Sequence, residues 1–229
     1  MIPFPELPDR GARVEIAPGA VHLPGWLTLE QQRELVAACR EWARGPVPMR
    51  HTKLATGGVM SVQTVCLGWH WQPYRYSRTA DDVNGERVAE LPDWLSELGR
   101  RAVAEAYLDP AAAAAYAPDT TLINYYDRDA KLGMHQDREE RCPAPVVSLS
   151  IGDRCVFRLG STTSRNRPWQ DVELASGDAF VFGGPSRFAY HAVPRLYAGT
   201  GDPATGLRSG RLNLTLRQTG LESVEPGPG

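Results

Sequence analysis

Two helix-forming segments followed by a succession of short strands predict a mixed α+β fold, in which helices pack on a double-sheet jelly roll (a double-stranded β-helix). The helical segments carry apolar residues at helical spacing, and the strand segments are short apolar runs bounded by Gly and Asp turns. At 229 residues and 42% hydrophobic composition, the chain can bury one sizeable core. We expect one structural domain with an N-terminal part (1–118), a jelly-roll core (119–220) and a disordered tail (221–229).

Both helices carry start signals. Thr28 and Gln31 have the spacing of a capping box and predict a helix from Leu29 to Ala43. Pro92 suits the first position of a helix, and apolar residues continue at helical spacing to about Leu108. Each helix has one apolar face and is therefore expected to pack on the core.

The strands are marked by their turns. A strand is predicted from Val59 to Leu67, and the aromatic segment that follows it contains Pro73, so we expect a loop or irregular hairpin there. The remaining predicted strands are Thr121–Tyr126, Val146–Ile151, Cys155–Leu159, Asp171–Leu174, Ala179–Phe182, Ala189–Val193 and Arg211–Gln218.

Charge and targeting signals exclude several classes of protein. The formal charge of −2 and the pI near 6.2 give no global basic field, so any nucleic-acid contact requires a local patch. The four cysteines include no CxxC pair, which indicates reduced thiols. No signal peptide and no apolar run of roughly 20 residues is present. We expect a cytoplasmic protein without membrane contact.

A possible metal site stands at His135-Gln136-Asp137. On an extended segment His135 and Asp137 point to one face, and His191 would arrive from another strand. Two imidazoles and one carboxylate are the ligands of non-haem Fe(II) oxygenases. A surface His–Asp hydrogen bond is the simpler alternative for the first two residues. Zinc hydrolysis is another, but no Glu beside a metal His on a helix accompanies it.

A possible cosubstrate site lies on the last strand. Arg211, Asn213, Thr215 and Arg217 alternate with leucines, so the polar side chains share one strand face. A half-exposed antiparallel strand has the same pattern. On an inner face, however, two arginines would require an anion, and a dicarboxylate matches guanidinium geometry. Asn124 and Tyr126 alternate in the same way, with a plain polar strand face as the alternative.

Several motifs together resemble the bacterial AlkB dioxygenases, which repair alkylated nucleic acid. They are Leu122-Ile123-Asn124-Tyr125-Tyr126, Lys131-Leu132-Gly133-Met134-His135-Gln136-Asp137, Ser148-Leu149-Ser150-Ile151-Gly152, Gly183-Gly184-Pro185-Ser186-Arg187, Tyr190-His191 and Arg211-Leu212-Asn213-Leu214-Thr215-Leu216-Arg217. The resemblance runs in order from about Gly57 to Gly220.

This resemblance implies a role for each matching residue. His135, Asp137 and His191 would hold Fe(II). The 2-oxoglutarate residues would be Asn124, Tyr126, Arg211, Asn213 and Arg217, with Arg211 nearer the distal carboxylate and Arg217 nearer the metal. The substrate residues would be Trp69 as the base-stacking aromatic, Tyr74 and Tyr76 in a nucleotide-recognition lid within 1–118, Glu139 facing the base and Arg165 contacting substrate. The segment between Trp69 and Tyr74 is shorter than expected, and Glu139 is longer than the expected Asp.

The activity implied is oxidative demethylation of N1-methyladenine and N3-methylcytosine by a monomer, with O2 consumed and single-stranded alkylated DNA, or RNA, as partner. Arg50, His51, Lys53, Arg75, Arg78 and Arg165 are candidates for a phosphate-binding surface, although scattered arginines are usually only solvated. One alternative is the same oxygenase acting on methylated RNA, a protein or a small molecule. A non-catalytic damage-binding protein is the other.

Overall fold

The computed structural model describes residues 11–54 and 57–221 of the chain. The predicted disordered tail lies outside this part, apart from Leu221. The strands, in chain order, are β1 (Val14–Ala17), β2 (Ala20–Leu23), β3 (Arg50–Lys53), β4 (Val59–Leu67), β5 (His70–Gln72), β6 (Arg75–Ser77), β7 (Thr120–Tyr126), β8 (Leu132–His135), β9 (Val146–Gly152), β10 (Arg154–Leu159), β11 (Gln170–Leu174), β12 (Ala179–Phe182), β13 (His191–Tyr197) and β14 (Arg211–Arg217). The α-helices are α1 (Leu29–Trp42), α2 (Asp93–Tyr107) and α3 (Pro110–Ala115).

Both predicted packing helices are present. The capping box forms at the start of α1, where the Thr28 hydroxyl accepts from the Gln31 amide at 3.1 Å and the Gln31 side chain accepts from the Thr28 amide at 2.9 Å. Pro92 precedes α2 as its N-cap instead of occupying its first turn. Of the helices within 11–54 and 57–221, none is both long and apolar enough to span a membrane.

Antiparallel strands form two main sheets. The larger sheet has the order β1-β2-β12-β9-β14-β7-β4-β3, and the smaller has the order β11-β10-β13-β8. β5 and β6 form a separate hairpin, as the aromatic segment suggested. This arrangement confirms the predicted jelly roll with helices. Residues 1–118 also supply β1 to β4, so the N-terminal part completes the larger sheet as well as carrying helices.

Most predicted strands are present with their ends moved by at most one residue. The strand predicted at Ala189–Val193 instead begins at His191 and continues through Pro194 to Tyr197. The sequence did not indicate β1, β2, β3 or β8, because each is only four residues long and lacks a clear apolar alternation. β2 is held by β12, from the far end of the chain, so its pairing is not visible locally.

Two apolar layers hold the structure together and position the site. Leu212, Leu214 and Leu216 of β14 pack with the apolar faces of α1 and α2 on the outside of the larger sheet. Between the two sheets, Phe157 and Phe180 form the centre of a second layer, with ring centroids 4.6 Å apart. β14 is therefore buried on both faces, and its polar side chains point into the space between the sheets.

Candidate active site

Two neighbouring strands of the smaller sheet bring the metal-binding candidates together. β8 and β13 pair so that His135 stands directly opposite His191, with ring centroids 4.2 Å apart. Asp137 follows β8 and lies 3.7 Å from Nε2 of His135 and 3.6 Å from Nε2 of His191. One ligand atom from each residue falls within 4.8 Å of the others. The three predicted ligands thus form one cluster.

Hydrogen bonds to the imidazoles prepare their Nε2 atoms for a metal. Nδ1 of His135 is 2.9 Å from the Gly133 carbonyl, and Nδ1 of His191 is 3.0 Å from the Ala189 carbonyl. Because a carbonyl only accepts, each Nδ1 carries a hydrogen, which leaves Nε2 as the nitrogen available to a metal. Burial and the neighbouring His135 lower the pKa of His191 to about 4, so it is neutral at pH 7.

The carboxylate of Asp137 is charged and has one free oxygen. Burial would raise the pKa of Asp137, but the nearby Arg217 guanidinium and the two imidazoles outweigh it and hold the pKa well below its usual range. Oδ1 lies 2.9 Å from Nη2 of Arg217, whereas the buried Oδ2 has no hydrogen-bond partner. A buried carboxylate oxygen without a hydrogen-bond partner among the described residues, beside two imidazole Nε2 atoms, fits a divalent metal.

The inner face of β14 forms the second part of the site. Arg211 is 1% exposed, and its Nη2 donates to the Ser150 hydroxyl at 2.9 Å. Its Nε and Nη1 are buried and have no hydrogen-bond partner among residues 11–54 and 57–221. A buried guanidinium with two unused donors on one side requires an anion, and a carboxylate is the group that fits that fork.

β7 completes this cradle. In the pairing of β14 with β7, Arg211 stands opposite Tyr126 and Asn213 opposite Asn124, so all four predicted residues share one patch. Burial raises the pKa of Tyr126 to about 12, and its hydroxyl therefore remains a donor at neutral pH. The Asn213 amide donates to the Ser148 hydroxyl at 2.7 Å. Side chains of both β7 and β14 are thereby fixed.

Arg217 joins the metal cluster to the cradle. Besides Asp137, its guanidinium donates to Oε1 of Glu140 at 3.0 Å and to the Tyr76 hydroxyl at 3.1 Å, and its Nε is buried without a partner. Arg217 is therefore at the metal end and Arg211 at the far end. A narrow cavity between the sheets connects them and is lined by both histidines, both arginines and Asn124.

Two charged residues that the sequence did not indicate support this network. The Glu140 side chain is fully buried, and its second oxygen accepts from Arg187 Nη2 at 3.1 Å. Arg187, 1% exposed, also donates to the Asp137 carbonyl at 3.0 Å and to the Ala144 carbonyl at 2.6 Å. Arg187 belongs to the motif Gly183-Gly184-Pro185-Ser186-Arg187, and a charged residue in that motif was the sequence signal that could have pointed to it. Glu140 follows the predicted Glu139 but belongs to no motif, so no sequence signal pointed to it.

An open cleft of about 570 Å³ leads from the surface to the metal cluster. Its walls include His135, Asp137, Trp71, Tyr74 and Glu139. Tyr74 is 78% exposed at the tip of the β5–β6 hairpin, with φ +74°. Burial raises the pKa of the half-buried Glu139 carboxyl. Tyr74 and Glu139 therefore both lie in the walls of the cleft that leads to the metal cluster.

Three other predicted substrate residues do not line this cleft. Trp69 is buried, with the Arg78 guanidinium carbon 3.8 Å from its ring centroid and its indole donating to Asp119 at 3.2 Å. Trp69 therefore does not line the cleft, and the tryptophan in the wall of the cleft is Trp71. Tyr76 instead donates to Glu140 at 2.6 Å. Arg165 is exposed in the β10–β11 loop.

A left-handed turn at Gly68 separates β4 from the two tryptophans, of which Trp71 and not Trp69 lines the cleft. The Gly68 φ of +75° lies in the left-handed region, so the backbone turns there instead of continuing as a strand. Trp69 follows this turn and packs inward, whereas Trp71 belongs to β5 and pairs with Tyr76 across the hairpin. The two tryptophans therefore have different surroundings although they are only two residues apart.

Comparison with known proteins gives the family. The profile of the 2OG-Fe(II) oxygenase superfamily matches residues 19–217. The chain is 36% identical over 209 residues to the alpha-ketoglutarate-dependent dioxygenase AlkB homolog of Caulobacter vibrioides, covering 89% of each chain. The chain belongs to the AlkB family. It is therefore an Fe(II)/2-oxoglutarate-dependent dioxygenase, as the predicted ligand set and resemblance indicated.

Other AlkB-family relatives extend the comparison. Identity to the alpha-ketoglutarate-dependent dioxygenase AlkB of Escherichia coli is 38% over 179 residues, covering 76% of this chain and 78% of the relative. A DNA N(6)-methyladenine demethylase of Arabidopsis thaliana, ALKBH1D, is 33% identical over 221 residues, and the chain spans 50% of its length. The solved structure of OsALKBH1 superposes with a TM-score of 0.80 at 32% identity, covering 90% of this chain and 100% of that one.

Proposed function

We propose that this dioxygenase removes methyl groups from the ring nitrogens of bases in single-stranded DNA, with N1-methyladenine and N3-methylcytosine as its substrates. The observation that carries the proposal is the open cleft, which ends at His135 and Asp137 and has an aromatic wall and an acidic residue beside them. A flat ring inserted there would present its methyl group to the metal. A base can reach this depth only after leaving the stack.

The chemistry of the cleft favours a cationic ring. Methylation at these nitrogens gives the base a positive charge and prevents normal pairing, so extracting it costs less than extracting an intact base. Trp71 offers a π face for cation–π attraction, and Glu139 offers a carboxylate on the same cleft. We assign Trp71 the stacking role that the resemblance gave to Trp69. Glu139 stays the residue proposed to face the base.

The chain positions the reactants and excludes water. Fe(II) and 2-oxoglutarate, when bound, supply O2-dependent hydroxylation of the methyl carbon, with succinate, carbon dioxide and finally formaldehyde as products. His135, Asp137 and His191 would hold the metal, while Arg211 would bind the distal carboxylate of 2-oxoglutarate. Arg217 keeps Asp137 charged and oriented beside the metal. The narrow cavity between the sheets would be filled by the cosubstrate and so kept dry.

A basic groove beside the cleft supports a nucleic-acid substrate. Arg50, His51 and Lys53 line it, and it shares Leu54 and Pro73 with the cleft. Phosphates on one side of the extracted base would lie against these side chains. Arg78 does not belong to this surface, since it covers Trp69 and donates to the Gly68 carbonyl at 2.6 Å. Arg165 lies in the β10–β11 loop of the smaller sheet.

A second candidate substrate is N6-methyladenine, which the name of the Arabidopsis relative specifies for that protein. This base carries no charge and keeps its pairing edge, so the cation–π and carboxylate contributions described above would be absent. The acidic wall of the cleft favours the cationic lesions. RNA offers the same methylated bases, and the cleft residues contact the base and not the sugar in this proposal.

One substrate panel tests the proposal. Oligonucleotides of one sequence would carry a single N1-methyladenine, N3-methylcytosine or N6-methyladenine, each as DNA and as RNA, and methyl loss would be followed by mass spectrometry. We expect loss from the two cationic bases, in DNA and in RNA. Methyl loss from N6-methyladenine alone would establish the second candidate instead. Turnover of 2-oxoglutarate without methyl loss from any member would refute both.

A further inference from the structure

The outer face of the smaller sheet carries a cluster of arginines around one tryptophan. The guanidinium carbon of Arg158 lies 4.3 Å from the ring centroid of Trp169, and that of Arg167 lies 5.2 Å away. The Trp169 indole donates to the Arg165 carbonyl at 3.0 Å, which fixes the ring against its own loop. We refer to Arg158, Arg167 and Trp169 as the Arg–Trp face.

This surface has an excess of positive charge. Residues 154–174 and 191–197 contain five arginines and two carboxylates, namely Arg154, Arg158, Arg165, Arg167 and Arg195 against Asp171 and Glu173. Arg158 pairs with Asp171 at 2.7 Å, and Arg154 pairs with Glu173 at 2.7 Å. Within the described part of the chain, Arg167 has no carboxylate within salt-bridge distance. The protein as a whole has a net charge of −2, so the excess is local.

The loop that carries this cluster is fastened to the metal-binding segments. The Gly160 amide donates to the Tyr190 carbonyl at 2.7 Å, and the Tyr190 amide donates to the Ser161 carbonyl at 2.9 Å. Tyr190 precedes the ligand His191. The side chain of Gln136, between His135 and Asp137, donates to the Thr162 carbonyl at 3.0 Å. The position of the loop relative to the metal cluster is therefore fixed from two sides.

Trp169 also lies next to the cleft. Gly160 lies between Met134 and Trp169 in packing: a Cβ at this position would be 3.1 Å from Cε of Met134 and 3.4 Å from Cδ1 of Trp169. Met134 lines the cleft directly before the ligand His135. The Arg–Trp face therefore lies close to the rim of the cleft.

We propose that the Arg–Trp face binds the phosphate backbone of the strand that flanks the extracted base. This inference rests on the proposed nucleic-acid substrate, and it goes beyond Arg165, the one contact in this loop that the family resemblance implies. A guanidinium stacked on a tryptophan keeps its N–H edges free for phosphate oxygens. This applies to Arg167, because Arg158 donates Nε and Nη2 to the Asp171 carboxylate. Stacking also restricts the rotamers of Arg167 before binding, so less entropy is lost when phosphate is bound. Trp169 is therefore a positioning residue for Arg167.

Salt dependence of binding tests this assignment. The dissociation constant would be measured by fluorescence anisotropy with iron and 2-oxoglutarate present and O2 absent, for a 15-mer and a trinucleotide with one central N1-methyladenine. Each phosphate contact on a single strand contributes about 0.7 to the slope of log K against log[salt]. Arg167→Gln should therefore lower the slope by about 0.7 for the 15-mer. When salt rises from 50 to 200 mM, the affinity of the variant should then fall by a factor roughly 2.6 times smaller than the factor for the wild type.

Matched variants separate the surface from general effects. Arg44→Gln removes one exposed arginine at the end of the α1 layer and should leave the slope unchanged. Trp169→Ala should weaken binding of the 15-mer in the same direction as Arg167→Gln, whereas Trp169→Phe keeps an aromatic face and should retain wild-type binding. The trinucleotide should be bound equally by all variants, because it does not reach the surface.

Each outcome decides between the two proposals. If the wild type demethylates the 15-mer but Arg167→Gln keeps its slope and affinity, the Arg–Trp face is not a backbone-binding surface and the proposed function stands. A wild type that neither binds nor demethylates either oligonucleotide overturns both. Equal slope changes in Arg167→Gln and Arg44→Gln would show a nonspecific charge effect and would also overturn the assignment.

Discussion

Glu140 is the buried counter-ion of the active site, and its replacement by Gln should destabilise the protein strongly. The side chain is fully buried and accepts from Arg217, Arg187 and Tyr76 at 3.0, 3.1 and 2.6 Å. Gln keeps the shape but removes the charge, and its NH2 group would face donor groups of one arginine. Breaking a buried ion pair from one side costs about 3–5 kcal/mol. For a chain of this size, that corresponds to a fall in Tm of roughly 6–20 °C.

The pH dependence of stability gives an independent measure of the same charge. Burial would raise the pKa of Glu140, but Arg217, the Tyr76 hydrogen bond and Arg187 hold it below its ordinary value. A carboxyl with a depressed folded-state pKa stabilises the protein above its unfolded pKa and loses this contribution as pH falls through the folded pKa. The wild type should therefore lose stability as pH falls below about 4.3. Glu140→Gln should lose less, because the contribution of the Glu140 charge is gone, while Asp137 and His191 titrate in both proteins.

Urea unfolding at pH 7 and at about pH 3, which lies below the unfolded pKa of a glutamate, measures both effects when followed by tryptophan fluorescence. The matched control is Glu173→Gln, which removes a carboxylate from an exposed pair with Arg154 and should change stability by less than about 1 kcal/mol. A loss of under 1 kcal/mol for Glu140→Gln, or an unchanged pH dependence, would refute the reasoning that this charge is buried and paired in solution.

Three further changes test individual residues of the site. His135→Ala should abolish 2-oxoglutarate turnover and leave the circular dichroism spectrum intact, since His135 is half-buried at the end of β8; turnover at the wild-type rate would remove it from the ligand set. Arg211→Gln should raise the KM for 2-oxoglutarate roughly 10-fold to 100-fold, because charge-assisted hydrogen bonds to the cosubstrate are lost. The variant should not destabilise the apo protein, because two donors of Arg211 have no partner among the described residues. A lower Tm of the apo protein with an unchanged KM would show that Arg211 has a structural role. Trp71→Ala should weaken oligonucleotide binding by about 1–3 kcal/mol with cosubstrate turnover retained. Trp69→Ala should instead lower the free energy of unfolding by about 3–5 kcal/mol. Weaker binding by Trp69→Ala and lower stability of Trp71→Ala would return the stacking role to Trp69.

The sequence could group the candidate metal and cosubstrate residues because they lie on strands with simple geometry. His135 and Asp137 are two residues apart, and Arg211 to Arg217 alternate with leucines, so each set faces one side whichever strands are neighbours. The register of β8 against β13 then brings His191 to His135. Burial of β14 on both faces also excludes the half-exposed strand that the alternation alone allowed.

Long-range contacts could not be read in the same way. Glu140 and Arg187 form a buried pair across 47 positions, and neither residue is part of a periodic pattern. β2 joins the larger sheet through β12, which lies more than 150 residues further along the chain, although β2 also pairs with the neighbouring β1. The sequence assigned Trp69 to the cleft, whereas Trp71 lines it in the structure. The left-handed turn at Gly68 interrupts the strand alternation there, so a residue-by-residue match could not show which tryptophan faces the cleft.

In the proposed reaction, oxidation at the metal cluster is coupled to removal of a methyl group from a base. The measurement that tests it most directly is the ratio of formaldehyde to succinate, when anaerobically purified protein receives Fe(II), 2-oxoglutarate, O2 and a single-stranded oligonucleotide with one N3-methylcytosine. We predict one formaldehyde for each succinate, with full loss of the methyl group and no product from an Asp137→Ala variant. Succinate without formaldehyde, at the same rate with and without the oligonucleotide, would contradict the account.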